Sequence, residues 1–128
     1  DLEKRYADIM RFMENIIDQW EPDFVAFEDI QLQQGAIGGY NAFKILGGLL
    51  GIMKAVLTRK KVAHREVLNK VWQAKFMITG KDRVSQKNNV IKKVEELFDI
   101  KVGDDTADAI LIGKWAVGEI NAEVKKLF

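Results

Sequence analysis

Apolar side chains at Leu2, Tyr6, Ile9, Met10, Met13, Ile16, Ile17 and Trp20 recur with three-four spacing and predict one amphipathic helix over residues 2–20. Pro22 ends it, because proline has no N–H to carry the helix on. Phe24-Val25-Ala26-Phe27 is a continuous apolar run closed by Glu28-Asp29, and it predicts a short strand covered on both faces. Gln31 to Gly39 is rich in Gln and Gly and reads as a mobile loop. Helical periodicity returns from Asn41 to Thr58, with Gly47, Gly48 and Gly51 on it as points of close backbone approach. Lys61 to His64 is expected to form a brief second strand, followed by a helix from about Arg65 to Phe76 with Val67, Val71 and Trp72 on one face. Thr79-Gly80 breaks the pattern. A helix from about Asp82 to Phe98 is expected to turn Val84, Val90, Ile91, Val94 and Leu97 inward, and a last helix runs from about Asp105 to Leu127. Trp20, Trp72 and Trp115 all fall on apolar helical faces, where core packing is the expected role.

Helix, strand, helix, strand, helix, helix, helix is an α/β pattern in which buried strands alternate with amphipathic helices, and the strands are expected to be parallel. Two strands make a very small sheet. The 128 residues, 48% hydrophobic and 30% charged, suit one compact domain and no second core of normal size. The longest apolar stretch, Ile45 to Met53, carries three glycines and is expected to be too short for a bilayer, so no membrane role is expected. The charged, periodic N-terminus shows no signal peptide, and with no cysteine the simplest expected location is cytoplasmic. Absence of cysteine also excludes a disulfide scaffold, a thiolate zinc site and a cysteine nucleophile, and a single histidine, His64, excludes a multi-histidine metal site. Any metal must be held by oxygen.

Net charge is +1, but its distribution is lopsided. Residues 59–93 hold eleven basic side chains against the two acids Glu66 and Asp82, a balance of +9 that leaves −8 for the rest. Such a block is either an ordinary solvated set of helix faces or a phosphate-binding face, since steering follows the local field. His64, beside Arg65 at a strand end, is expected to be structural or to contact phosphate.

Three acids stand out. Glu28 lies at the carboxyl end of the first strand, where open α/β sheets place ligands, although a strand simply emerging into solvent looks the same. Asp105 and Asp108 are three apart at the start of a helix, on one side of one turn. Asp104 or Asp105 also suits an N-cap, and acids in a first turn complement the helix dipole. The small neighbours Thr106, Ala107 and Ala109 allow that helix end to lie against the sheet. Three carboxylates from two distant segments then converge, a hard-oxygen set suited to Mg²⁺ or Mn²⁺ and to phosphodiester cleavage.

Phe24-Val25-Ala26-Phe27-Glu28-Asp29, Leu46-Gly47-Gly48-Leu49-Leu50-Gly51, Arg65-Glu66-Val67, Lys87-Asn88-Asn89-Val90 and Asp105-Thr106-Ala107-Asp108-Ala109 occur in an order and spacing that resembles the RuvC-like Holliday-junction resolvases, over about Arg5 to Trp115. The resemblance implies a ribonuclease H-like α/β fold, here N-terminally truncated and helix-rich with a residual small sheet. It implies a homodimer that hydrolyses phosphodiesters in four-way or otherwise branched DNA, with Mg²⁺ on four carboxylates. Glu28 matches the second of these, Asp105 and Asp108 the last two. Lys87 matches a basic residue that handles DNA near the scissile phosphate, and Arg65, Lys81 and Arg83 are further expected DNA contacts. The first carboxylate belongs to a three-strand meander that has no counterpart in residues 1–128, so the chain as it stands is expected to be inactive and to self-associate through an uncovered strand edge. Gln31 replaces an aromatic residue of bacterial members and Leu68 a common lysine, which suggests a divergent, phage-type member. A non-catalytic DNA-binding module using residues 59–93, and a structural dimerisation domain, are the alternatives.

Overall fold

The computed structural model describes residues 1–30 and 39–127. The order of elements is α1 (Leu2–Trp20), β1 (Phe24–Glu28), α2 (Gly39–Arg59), β2 (Ala63–Val67), α3 (Asn69–Lys75), α4 (Arg83–Phe98) and α5 (Asp104–Lys126). β1 and β2 pair as a small parallel sheet. Gln31 and the rest of the expected Gln/Gly loop lie outside the described residues, apart from Gly39, which opens α2.

Two compact units are present, one of Asp1–Val25 with Ile30–Arg65 and one of Ala26–Asp29 with Glu66–Phe128. In the first, the Asp1 carboxylate caps α1 by accepting from the Glu3 and Lys4 amides at 2.8 and 3.3 Å, which satisfies two amides that the first turn leaves without partners. Tyr6 donates to the Ile45 carbonyl at 3.4 Å, Glu14 pairs with Arg59, and Lys60 reaches Asp18 at 2.8 Å. These contacts advance together along both helices, so α1 and α2 lie side by side in the same direction. Among the described residues, the buried hydrophobics of this unit are Ile17, Val56 and Leu57.

The second unit is built around α5. Ala107, Leu111, Ile112, Trp115 and Ala116 form its buried stripe, and α5 packs on both α3 and α4. Trp72 of α3, Val90 and Val94 of α4, and Phe27 and Val67 at the strand ends complete the core. The Asp29 amide donates to the Val67 carbonyl at 2.8 Å and continues the strand pairing past β1.

Several expectations are corrected. The second strand runs Ala63–Val67 instead of Lys61–His64, and the helix expected from Arg65 starts at Asn69. The cause is the end of α2: Lys61 takes a left-handed conformation with φ 58°, and the Lys61 and Val62 amides fold back on the Thr58 and Leu57 carbonyls at 3.1 and 2.9 Å. This paired C-terminal motif keeps residues 61 and 62 attached to the helix. β1 is half-covered, with only Phe27 buried, where cover on both faces is expected. Val84 and Leu97 are exposed instead of inward, Val71 is exposed while Val67 and Trp72, expected on the same face, are buried, and Trp20 is 72% exposed. Helix α2 is 21 residues, long and apolar enough to cross a membrane by length and composition, with little of it buried. An uninterrupted-run criterion overlooks this, because Lys44 and Lys54 are its only charges before Arg59.

Candidate active site

Glu28, Asp104, Asp105 and Asp108 all belong to the second unit. α5 starts with Gly103 as its N-cap and no side-chain cap, so the expected capping by Asp104 or Asp105 is not how the helix begins. Buried Ala107 fixes the first turn against the core. Asp104, Asp105 and Asp108 thereby ride on a rigid turn near the helix's positive end. Glu28, half-buried, arrives from the end of β1.

Half-buried Asp108 registers this crowding. Its pKa is pushed up to about 6, first by burial and then by the negative charges of Glu28, Asp104 and Asp105, with Lys87 acting in the opposite direction. Burial and like charge both disfavour the ionised form. Asp108 thus feels the charge of Glu28 as well as the charges of its own helix turn. Among the described residues, however, no three acids or histidines stand arranged to hold a metal ion. Carboxylate oxygens are the donor type that hard cations take, but the structure does not arrange these as a metal site.

Lys87, one turn inside α4, places its ammonium 2.8 Å from the Asp104 carboxylate. That hydrogen bond and charge, with help from the Asp104 and Asp105 amides, hold the Asp104 carboxyl below the usual range. Upstream, the Asp82 carboxylate caps α4 by accepting from the Ser85 amide at 2.8 Å, and this bond lowers its pKa. Asn89 donates to the Thr79 carbonyl and Gln86 to that of Gly80. A Cβ at residue 80 would sit 2.8 Å from the Gln86 amide nitrogen, so glycine is required for the turn to lie on the helix. The result is a braced turn that presents Lys81 and Arg83 to solvent. Arg65 is exposed on β2 and belongs to the other unit. His64 keeps a structural contact, its Nδ1 lying 2.9 Å from the Val62 carbonyl oxygen.

Among solved structures, RuvC of Thermus thermophilus matches 88% of this chain and 65% of its own length, with a TM-score of 0.65 and 19% sequence identity. The fold is RuvC-like. At this identity the likeness is one of fold, and the chain spans less than two-thirds of that structure. No protein-family model and no curated protein matches the sequence. Within the RuvC-like fold, the residue that sequence reasoning missed is Asp104, weighed only as a cap. Its signal was present in the run Asp104-Asp105: two adjacent acids point in different directions on a helix, so one can meet α4 while the other does not.

Proposed function

We propose that this chain is the carboxylate- and lysine-bearing part of a metal-dependent endonuclease that cuts branched DNA, with Holliday-type four-way junctions as the substrate class. The observation that carries the reading is half-buried Asp108, which feels the charges of Glu28, Asp104 and Asp105 and lies on the same helix turn that holds Lys87 through Asp104, in a RuvC-like fold. In this reading Glu28, Asp105 and Asp108 ligate Mg²⁺ or Mn²⁺. When bound, the ion supplies Lewis-acid charge at the phosphate and a water of lowered pKa. Lys81, Arg83 and Lys87, with Arg65 as a further contact, meet phosphate oxygens, which fixes position without reading sequence. A second copy of the chain covers exposed apolar side chains such as Phe12 and Trp20 of α1.

The test uses a labelled four-way junction with the 128-residue chain, in Mg²⁺ and in EDTA. Three of the four carboxylates implied by the resemblance are present, so the chain should bind the junction without cutting it. Mg²⁺ titration followed by NMR should shift the resonances of Glu28, Asp105 and Asp108. Asp108→Asn should abolish the metal response and leave junction binding intact. Junction cleavage by the unaltered chain would show that the fourth carboxylate is dispensable. Junction binding with no metal response would favour the alternative of a non-catalytic DNA-binding module.

A further inference from the structure

Asp104 lies outside the carboxylates that the resemblance assigns to metal, yet it is the group that Lys87 holds, at 2.8 Å. Lys87 projects from α4 and Asp104 opens α5, and these two helices pack together in the core of their unit, so the approach of the two side chains is set by rigid elements. Both side chains are nevertheless about two-fifths exposed, and their ion pair can open with no change in the core. An ammonium recognises a carboxylate oxygen and a phosphodiester oxygen by the same chemistry, a charge-assisted hydrogen bond from N–H to an oxyanion. Partly exposed pairs are weak, so an incoming phosphate needs only a modest advantage to take the lysine over.

We propose that Asp104 is a positioning residue that parks Lys87 in the nucleic-acid-free protein, standing in for a DNA phosphate oxygen that displaces it. The pair is then a weak autoinhibitory contact built into the α4–α5 junction. It keeps Lys87 extended towards the place where phosphate arrives, and it taxes binding by the strength of one exposed ion pair. This rests on reading the site as one that meets DNA phosphates.

A double-mutant cycle tests it. Binding of a fluorescein-labelled four-way junction is followed by anisotropy in EDTA for the unaltered chain, Asp104→Asn, Lys87→Gln and the double variant. Asp104→Asn should tighten binding about threefold, the scale of one exposed ion pair, and the gain should vanish in the Lys87→Gln background. Asp105→Asn removes a neighbouring charge without touching Lys87, so whatever gain it gives should persist in both backgrounds. An Asp104→Asn gain equal in both backgrounds reports general charge removal and overturns the proposal, as does no gain at all. If the unaltered chain binds no junction, the nuclease reading fails on its own, and the ion pair is judged by the lysine ammonium ¹H–¹⁵N spectrum. A slowly exchanging Lys87 signal that Asp104→Asn abolishes supports the parked state. A Lys87 signal identical in the two proteins overturns it, whatever the DNA result.

Discussion

The two units use similar apolar content to different ends. In the unit of α1 and α2, Ile17, Val56 and Leu57 are buried while Leu2, Met10, Phe12, Trp20, Tyr40, Ile45 and Leu46 are exposed. The unit of α3, α4 and α5 also exposes apolar side chains, among them Met77, Val84, Val117 and Leu127, but it buries a larger set: Trp72, Val90, Val94, Ala107, Leu111, Ile112, Trp115 and Ala116 with the strand residues Phe27 and Val67. A pair of helices has one seam and can cover one narrow stripe on each. A helix flanked by two others, as α5 is, covers more of its circumference. The site residues Glu28, Lys87, Asp104, Asp105 and Asp108 all belong to the better packed unit. Placing charged groups on elements with locked cores keeps their spacing fixed, which is what a site built from mutually repelling carboxylates needs.

Tryptophan substitution should expose that contrast most strongly. Trp72 is 0% exposed and Trp20 72%. Trp72→Ala should cost about 3–5 kcal/mol by cavity formation, whereas Trp20→Ala should stay within about 0.5 kcal/mol. Urea titration of both variants measures the difference, and equal costs would mean that the first unit is packed by contacts of Trp20. If a second copy docks on α1, Trp20→Ala should instead lower the sedimentation coefficient at high concentration. Among the described residues the buried Trp72 Nε1–H has no hydrogen-bond partner, so Trp72→Phe removes an unsatisfied donor and should cost well under the alanine change.

The next effect is pH-dependent and belongs to the second unit. Asp108 has a pKa raised to about 6 from 3.8, so the folded state binds its proton more tightly than the unfolded state does. Its contribution is therefore fully present below the unfolded value and is lost as pH rises from about 4 to above 6. Metal-free thermal melts should show stability falling across that window. Asp108→Asn should flatten the fall and raise stability at pH 7.5 by about 1 kcal/mol, after discounting the shift for solvent screening of a half-buried group. Mg²⁺ should flatten it too. A melt series unchanged by Asp108→Asn would break the link between the crowded carboxylates and the packed unit. Asp104, whose pKa is lowered by Lys87, acts in the opposite direction, its contribution being present above the unfolded value and lost as pH falls below about 4.

Smaller effects are expected from the glycines of α2. Among the described residues nothing lies within 4 Å of a Cβ built at Gly51, so Gly51→Ala should stabilise by about 0.5–1 kcal/mol through helix propensity alone. A Cβ at Gly48 would overlap the Tyr6 ring and hydroxyl, so Gly48→Ala should lose that gain to displacement of Tyr6 and weakening of its bond to the Ile45 carbonyl. Equal gains for the two would show that the α1–α2 seam is too loose to resist. Asp18→Asn, which breaks the exposed pair with Lys60, should change stability by less than about 0.5 kcal/mol.

Periodicity alone placed α1 over its whole observed length and α4 and α5 to within one residue of their starts, since a long apolar stripe at three-four spacing has few alternatives. The boundary error around β2 has a specific origin. Glu21, Lys61, Met77 and Asp99 all adopt left-handed backbone at or just beyond helix ends. A glycine would have announced such a stop, but a glutamate, a lysine, a methionine and an aspartate do not. The inward assignments of Val84 and Leu97 failed because apolar content marks a helix face without saying whether another element covers it.

The sequence by itself determined the order and kind of elements, the oxygen-only donor chemistry and the acids at the ends of a strand and a helix. These follow from local pattern and from which residue types are absent. Only the tertiary structure decided that α5 packs between two helices while α2 lies largely uncovered, that Asp108 is crowded enough to hold its proton near pH 6, and that Asp104 rather than Asp105 or Asp108 takes Lys87. Those are properties of distance and burial between segments far apart in the chain, and spacing along a sequence carries no measure of either.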